Sequence, residues 1–281
     1  MAEWNLRHMT WPEITAAARS RRRVVLVPVG AIEQHGPHLP VDTDNLAVEA
    51  ICEQAARSTP GLLVLAPPVH YGYNEHNMDF PGTVTVDPFA FVTYCRDVAH
   101  SFGRMGFDRV LFVNGHGSNA HLLELAARQA TLQEQAWVAS LSYWDLVRDA
   151  FAKIRQSVFP GGVGHACEME TSLYLHLAPE RVRKALIRNG VRKQGTYFFE
   201  DLLGGAPVKF TDWRSKATTS GVGGDPTLAT PEKGRITLEA AVAGLIAVAR
   251  EFREIYWGER QAIGDRDGAR PRRRRPPRRK P

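Results

Sequence analysis

Apolar positions along this chain follow two alternating rhythms. Val24 to Val29 is a short unbroken apolar run rich in β-branched residues and ended by Gly30. It predicts a strand buried on both faces. Comparable runs at 62–65, closed by Pro67-Pro68, at 110–113, ended by Asn114-Gly115, and at 137–141 predict three more. Between them the apolar residues fall at helical spacing: Leu46, Val48, Ala50, Ile51 and Ala55, then Phe89, Val92, Cys95, Val98 and Phe102 up to Gly103 and Gly106. Two further helices are predicted over about 119–133 and 232–256. Buried strands separated by amphipathic helices predict an α/β fold, a three-layer αβα sandwich with a mostly parallel central sheet. Ligands in such folds bind outside the carboxyl ends of the strands. No repeat or mid-chain linker interrupts the pattern, so residues 1–260 read as a single domain.

Charge changes the picture only at one end. The net charge is +6, but residues 266–281 hold nine Lys/Arg against Asp267 alone, which leaves −2 for everything else. The Arg/Pro-rich segment 261–281 cannot build a core and is expected to be a disordered basic tail. A nucleic-acid partner is conceivable only through this tail, and a solvated extension is the plainer reading. No apolar run approaches the roughly 20 residues of a membrane helix, and residues 1–12 lack the apolar region of a secretory leader. A cytoplasmic protein without a membrane role is expected. Three cysteines (Cys52, Cys95 and Cys167) with no CxxC pair argue against a disulfide scaffold or a zinc finger.

The chemistry-bearing residues cluster at predicted strand ends. Glu33 and His35 follow the first strand two apart, so extended backbone points both to one side. Asp44 comes nine residues after His35, beyond a Gly/Pro-rich turn, and His116 follows the third strand within Asn114-Gly115-His116-Gly117-Ser118-Asn119. Glu, His, Asp and His make a mixed N/O donor set that Zn²⁺, Mn²⁺ or Fe²⁺ accept. Taken singly, His116 reads as a loop histidine, Glu33 as a surface acid and Asp44 as a helix N-cap; their convergence on one sheet edge argues otherwise. His38 and Asp42 share the turn and read as bystanders. A glycine-rich segment, Gly161 to Gly164, then leads through His165, suited to proton transfer, into a helix beginning near Glu168. Glu168 reads as favourable charge at that helix N-terminus.

Three motifs in order, Glu-Gln-His-Gly-Pro-His-Leu-Pro-x-Asp-Thr-Asp (33–44), Asn-Gly-His-Gly-x-Asn (114–119) and Gly-His-Ala-x-Glu-x-Glu-Thr-Ser (164–172), resemble the creatininase (creatinine amidohydrolase) family. His76 to Thr83 and Gly221 to Pro226 extend the likeness over about residues 24–250. The resemblance implies a metal-dependent amidohydrolase with two divalent ions per chain, acting on a small molecule and assembled as a homohexamer. It implies that Glu33 binds one ion, that His35 and His116 bind the other, and that Asp44 bridges them. It also makes His165 the residue that carries the proton to the leaving nitrogen and sets Glu170 at the metal edge. Two positions depart from the pattern. Ser118 stands where true creatininases have a metal-binding glutamate, and Gly161 where they have a tryptophan packed over the substrate. Ser118 and Trp144 are therefore candidate substrate-binding residues, and an amide, cyclic amide or formamide other than creatinine is the expected substrate. Related proteins suggest three alternatives: a nucleotide deformylase, for which Arg214, Lys216 and Lys233 would be phosphate-binding candidates, a precursor-peptide peptidase, and a hydrolase of an oxidised inositol ring.

Overall fold

In the computed structural model, which describes residues 3–19, 23–133 and 136–255, the four apolar runs form one parallel sheet. Its strands are β1 (Val24–Val29), β2 (Leu63–Leu65), β3 (Arg109–Asn114) and β4 (Trp137–Ser142), in the order β2-β1-β3-β4. The register sets Val29 beside Asn114 and Asn114 beside Ser142, so three strands end level. The loops leaving them emerge side by side, at the edge where chemistry was expected.

The helices are α1 (Trp11–Arg19), α2 (Thr43–Ser58), α3 (Pro88–Met105), α4 (Ala120–Leu132), α5 (Tyr143–Ala152), α6 (Glu168–Leu177), the one-turn α7 (Arg214–Ala217) and α8 (Pro231–Glu254). Alternate strand residues face opposite layers. Leu26, Leu65, Leu111 and Val113 pack with Ile51, Phe151, Leu173 and Leu245 from α2, α5, α6 and α8. Val25, Val27, Val64 and Phe112 pack with Ala18, Phe91, Phe102 and Leu123 from α1, α3 and α4. The expected three-layer sandwich results. A short antiparallel ribbon, β5 (Val163–His165) with β6 (Gly223–Gly224), stands beside the sheet and carries His165.

The sequence pattern did not anticipate α1 or α5. Helix α5 follows β4 directly, with no turn signal between them, so nothing in the sequence marks its start. Helix α2 starts at Thr43, which places Asp44 inside its first turn while Asp42 holds the N-cap position. No helix among the described residues is long and apolar enough to cross a membrane. The disorder expected for residues 261–281 lies outside the described residues.

Helices α6 and α8 approach closely at Gly234, where an added Cβ would run into the Ser172 carbonyl oxygen and come within 2.8 Å of the His176 Cβ. Alanine in an exposed helix is favoured over glycine by about 1 kcal/mol. Here the sign should reverse, with Gly234→Ala destabilising by about 1–3 kcal/mol through overpacking. Gly205→Ala, with nothing within 4 Å, should stay within about 0.5 kcal/mol of the parent. Urea unfolding of the two variants checks both.

Candidate metal centre

The centre is assembled where the start of α2 rests on the strand ends. A Cβ on Gly115 would lie 2.7 Å from the Asp44 carbonyl oxygen and 3.0 Å from the Val48 Cβ, so only glycine lets β3 pass this close beneath the helix. Asn45 fastens the same turn by donating to the Ala31 carbonyl at 2.9 Å. The 33–41 turn closes through the Glu33 amide, 3.0 Å from the Val41 carbonyl. Asp44, buried at 3% exposure, then divides its carboxylate between two imidazoles. Oδ1 lies 3.2 Å from His35 Nε2, and Oδ2 lies 3.0 Å from His116 Nδ1. Glu33 Oε2 is 2.8 Å from the same His116 nitrogen, and Glu170 Oε1 is 3.9 Å from His35 Nε2.

Two trios of donor atoms therefore share Asp44: Glu33 with His116, and His35 with Glu170. This differs from the grouping that the resemblance implied, in which His35 and His116 fell together. Adjacent strands β1 and β3 bring His116 next to Glu33, whereas His35, two residues further on, reaches toward α6. Both imidazoles are held from behind. His35 Nδ1 donates to the Glu33 carbonyl at 3.2 Å, and His116 Nε2 donates to the Tyr73 carbonyl at 3.1 Å. A carbonyl only accepts, so each ring keeps a proton there and, when neutral, turns the lone pair of its other nitrogen toward Asp44. Glu33 Oε2, His35 Nε2 and Asp44 Oδ2 are buried without a hydrogen-bond partner among the described residues. Unpartnered buried N and O atoms are costly, and their convergence as neutral imidazoles and carboxylates fits divalent cations.

The metal-free charges are mutually supporting. Burial pushes His35 toward neutrality, but Asp44 and Glu170 outweigh it and raise its pKa well above the ordinary range. His116 is pushed up to about 10, since Glu33 and Asp44 overcome the same burial. Asp44 is held low against burial by the two histidines.

His165 lies beside this group, its ring centroid 4.3 Å from that of His35. Its Nε2 is 2.7 Å from the Gln34 main-chain carbonyl and 3.0 Å from the Gln34 side-chain nitrogen; the shorter contact, to an atom that only accepts, favours the proton on Nε2. Nδ1 then carries the lone pair and faces Glu33 Oε1 at 3.7 Å. Burial, followed by the charge on His35, keeps the His165 pKa well below its ordinary value. The Gln34 side chain donates to Asn77 Oδ1 and to the Gly221 carbonyl, both at 3.2 Å, and Asn77 in turn donates to Glu33 Oε1. Gln34 and Asn77 lie inside motif stretches, but an amide has no charge or metal-ligand spacing to single it out.

Glu170 faces the centre with one oxygen while the other accepts from the Cys167 amide at 3.2 Å, capping α6. The two residues read as bystanders brace that helix. His38 shares a 2.9 Å hydrogen bond with Thr171, and Asp42 accepts from the Tyr174 hydroxyl at 2.8 Å. Burial lowers His38 to about 4, so it stays neutral. Glu168 is more than a surface charge at a helix start: it is fully buried against Lys233 and accepts from the Ser157 amide at 2.9 Å. That pairing also removes Lys233 from the phosphate-binding candidates. Trp144 is 7% exposed, belongs to the α2–α5–α6–α8 core and packs edge-on against Tyr143. Ser118 is half-buried on the turn Gly117–Asn119. Gly161 has φ +101°, and a Cβ there would lie 2.6 Å from the Gln194 side chain, so this backbone leaves no room for the family's tryptophan.

Creatininase, described as creatinine amidohydrolase, is the family matched, over residues 7–249. The chain belongs to the creatininase family. A creatinine amidohydrolase of Pseudomonas putida is 32% identical over 260 residues, 86% of this chain and 95% of the relative. A mycofactocin precursor peptide peptidase of Mycobacterium ulcerans is 32% identical over 80% of both chains. A 3-dehydro-scyllo-inosose hydrolase of Thermotoga maritima is 30% identical over 83% of this chain and 78% of the relative. Among solved structures, a manganese form of creatininase superposes with TM-score 0.76 at 27% identity, over 90% of this chain and all of that one. A zinc form gives 0.75 at 26% identity, over 91% of this chain and all of that one.

Metal-binding imidazoles must be unprotonated, and the carboxylates around His35 and His116 raise the pKa of both in the metal-free site, so cation binding should release protons. Calorimetric titration of chelator-treated protein with Zn²⁺ or Mn²⁺ should give heats that vary with buffer ionisation enthalpy, and affinity that rises with pH. Heats independent of buffer would show that these nitrogens take no part.

Proposed function

We propose that this creatininase-family chain is a metal-dependent amidohydrolase that cleaves a carbon–nitrogen bond in a small amide, cyclic amide or formamide. The observation that carries the reading is the split Asp44 carboxylate between two histidines, each anchored through its far N–H. Glu33, Asp44 and His116 would hold one divalent ion, and His35, Asp44 and Glu170 a second, with Zn²⁺, Mn²⁺ or Fe²⁺ suited to the donors. When bound, such ions supply Lewis acidity to a carbonyl and bring the pKa of a coordinated water toward neutrality.

The chain's own residues then direct protons. His165, kept neutral by burial, offers the Nδ1 lone pair to the attacking water and afterwards returns that proton to the leaving nitrogen. Gln34 holds the imidazole in this tautomer through its main-chain carbonyl. Asn77 fixes Glu33 from the opposite side. Creatinine itself is disfavoured, because Gly161 has no aromatic face to lay over a planar ring. The homohexamer and the cytoplasmic setting belong to the same proposal. Exposed Tyr197, Phe198 and Phe210 on the segment before α7 support contact with further copies.

Elemental analysis of protein purified without chelator should find about two divalent ions per chain, and Asp44→Ala should lose them. His165→Ala should retain them while lowering kcat on a panel of cyclic amides, formamides and short peptides by about 10²–10⁴-fold. Full metal content and full activity in Asp44→Ala would overturn the assignment.

A further inference from the structure

Beyond the metal centre, two arginines share one carboxylate. Glu200 accepts from both Nη atoms of Arg214 at 2.9 Å and from Arg192 Nη2 at 2.6 Å. The trio therefore carries one net positive charge. Nε of Arg192 and Nε of Arg214 are both buried without an acceptor among the described residues. Arg214 is 8% exposed, whereas the Arg192 side chain is a third exposed. A guanidinium buried beyond the needs of its partner is uncommon unless something else neutralises it.

Arg192 also lines a cavity of about 450 Å³ with Lys216, Ser215, Thr218, Thr219 and Ser220, and no carboxylate is among its walls. Two of the polar groups are engaged within the chain: Lys216 Nζ bonds Asp212 at 2.8 Å, and the Ser215 hydroxyl bonds Asp79. The cavity is joined to the surroundings of the proton-carrying histidine through the chain. Ser220 precedes Gly221, whose carbonyl holds Gln34 at 3.2 Å. Two residues on, a Cβ at Gly223 would lie 3.0 Å from Arg214 Nη1 and 3.5 Å from the His165 Cβ.

We propose that this cavity is an oxyanion subsite that receives a carboxylate or phosphate group of the substrate, remote from the bond that is cleaved. The excess positive charge of the two arginines on one glutamate, with hydroxyl donors and no carboxylate among the lining residues, suits such a group. The link to substrate rests on the amidohydrolase reading; the binding of an anion does not. Of the three basic residues that a phosphate-bearing substrate suggested, Lys216 lines this cavity, Arg214 stands behind it on the carboxylate it shares with Arg192, and Lys233 lies away, in its buried pair with Glu168.

The test is calorimetric titration of the full chain, freed of metal so that the centre itself binds no anion, with inorganic phosphate and separately with succinate. One of the two should saturate a single site. Tighter phosphate binding would identify phosphoester substrates, and tighter succinate binding carboxylic acids. Arg192→Met should weaken the preferred anion by about tenfold or more, and Arg192→Lys should restore part of the loss by returning the charge without the planar donors. Lys216→Met, at an exposed position, gives the same readout if the arginine variant folds poorly. Failure of both anions to saturate, or binding that Arg192→Met and Lys216→Met leave unchanged, would overturn the proposal. Metal content is measured separately, so a chain that binds phosphate but no divalent ion would sink the amidohydrolase reading and leave the subsite standing.

Discussion

The arrangement of the whole edge depends on one buried carboxylate, that of Asp44. A charged group at this depth is tolerated only when it is paired. Asp44 meets that demand by giving one oxygen to a histidine that follows β1 and the other to a histidine that follows β3. To do so it must enter on the first turn of α2, and that turn must lie against both strand ends. Gly30 and Gly115 make this approach sterically feasible, since a Cβ at either would collide with residues 44–48. The helix N-terminus adds a favourable field for the carboxylate. Chain packing and site chemistry are here the same contact.

Loops that converge in a buried place bring main-chain groups that need partners. Asparagines supply most of them. Asn114 accepts from the His116 amide and donates to the His116 carbonyl. Asn119 donates to the Gly30 carbonyl and accepts from the Tyr73 amide. Asn45 reaches the Ala31 and His70 carbonyls. The Tyr73 carbonyl is then free to orient His116, so the polar network that satisfies the backbone also selects the imidazole tautomer. Buried hydrogen-bond networks restrict the chain to few geometries, which a centre of several ligands requires.

Much of this was legible before any coordinates. The β-branched runs marked four strands because a parallel sheet covered on both faces leaves no polar positions to obscure them. Glu33, His35 and His116 stood out because each lies just beyond a strand end in a motif, and Asp44 because it closes the motif that begins at Glu33. What escaped depended on direction and depth. The His116–Glu33 pairing follows from which neighbouring strand a side chain turns toward, which no spacing encodes. Trp144 looked like a cleft residue because the β4–α5 junction has no turn signal; in a helix the same residue faces the core. His38 and Asp42 were set aside since their spacing matched no ligand pattern, yet they brace the helix that carries Glu170. Lys233 and Glu168, far apart in sequence, gave no sign that they would meet.

The change at position 118 has a structural consequence. A glutamate there would stand on the short turn Gly117–Asn119 at the end of β3. With Ser118, the carboxylate facing His35 and Asp44 is Glu170, which arrives on α6. A loop ligand can adjust locally, but Glu170 stands on a helix whose start is fixed by the Cys167 cap, by His38 on Thr171, and by Glu168 on Lys233. Ser172 adds a fourth tie by accepting from the Thr230 amide at the entry to α8. The second trio is therefore coupled to the packing of α6 against α8, across a contact too close to admit a Cβ at Gly234.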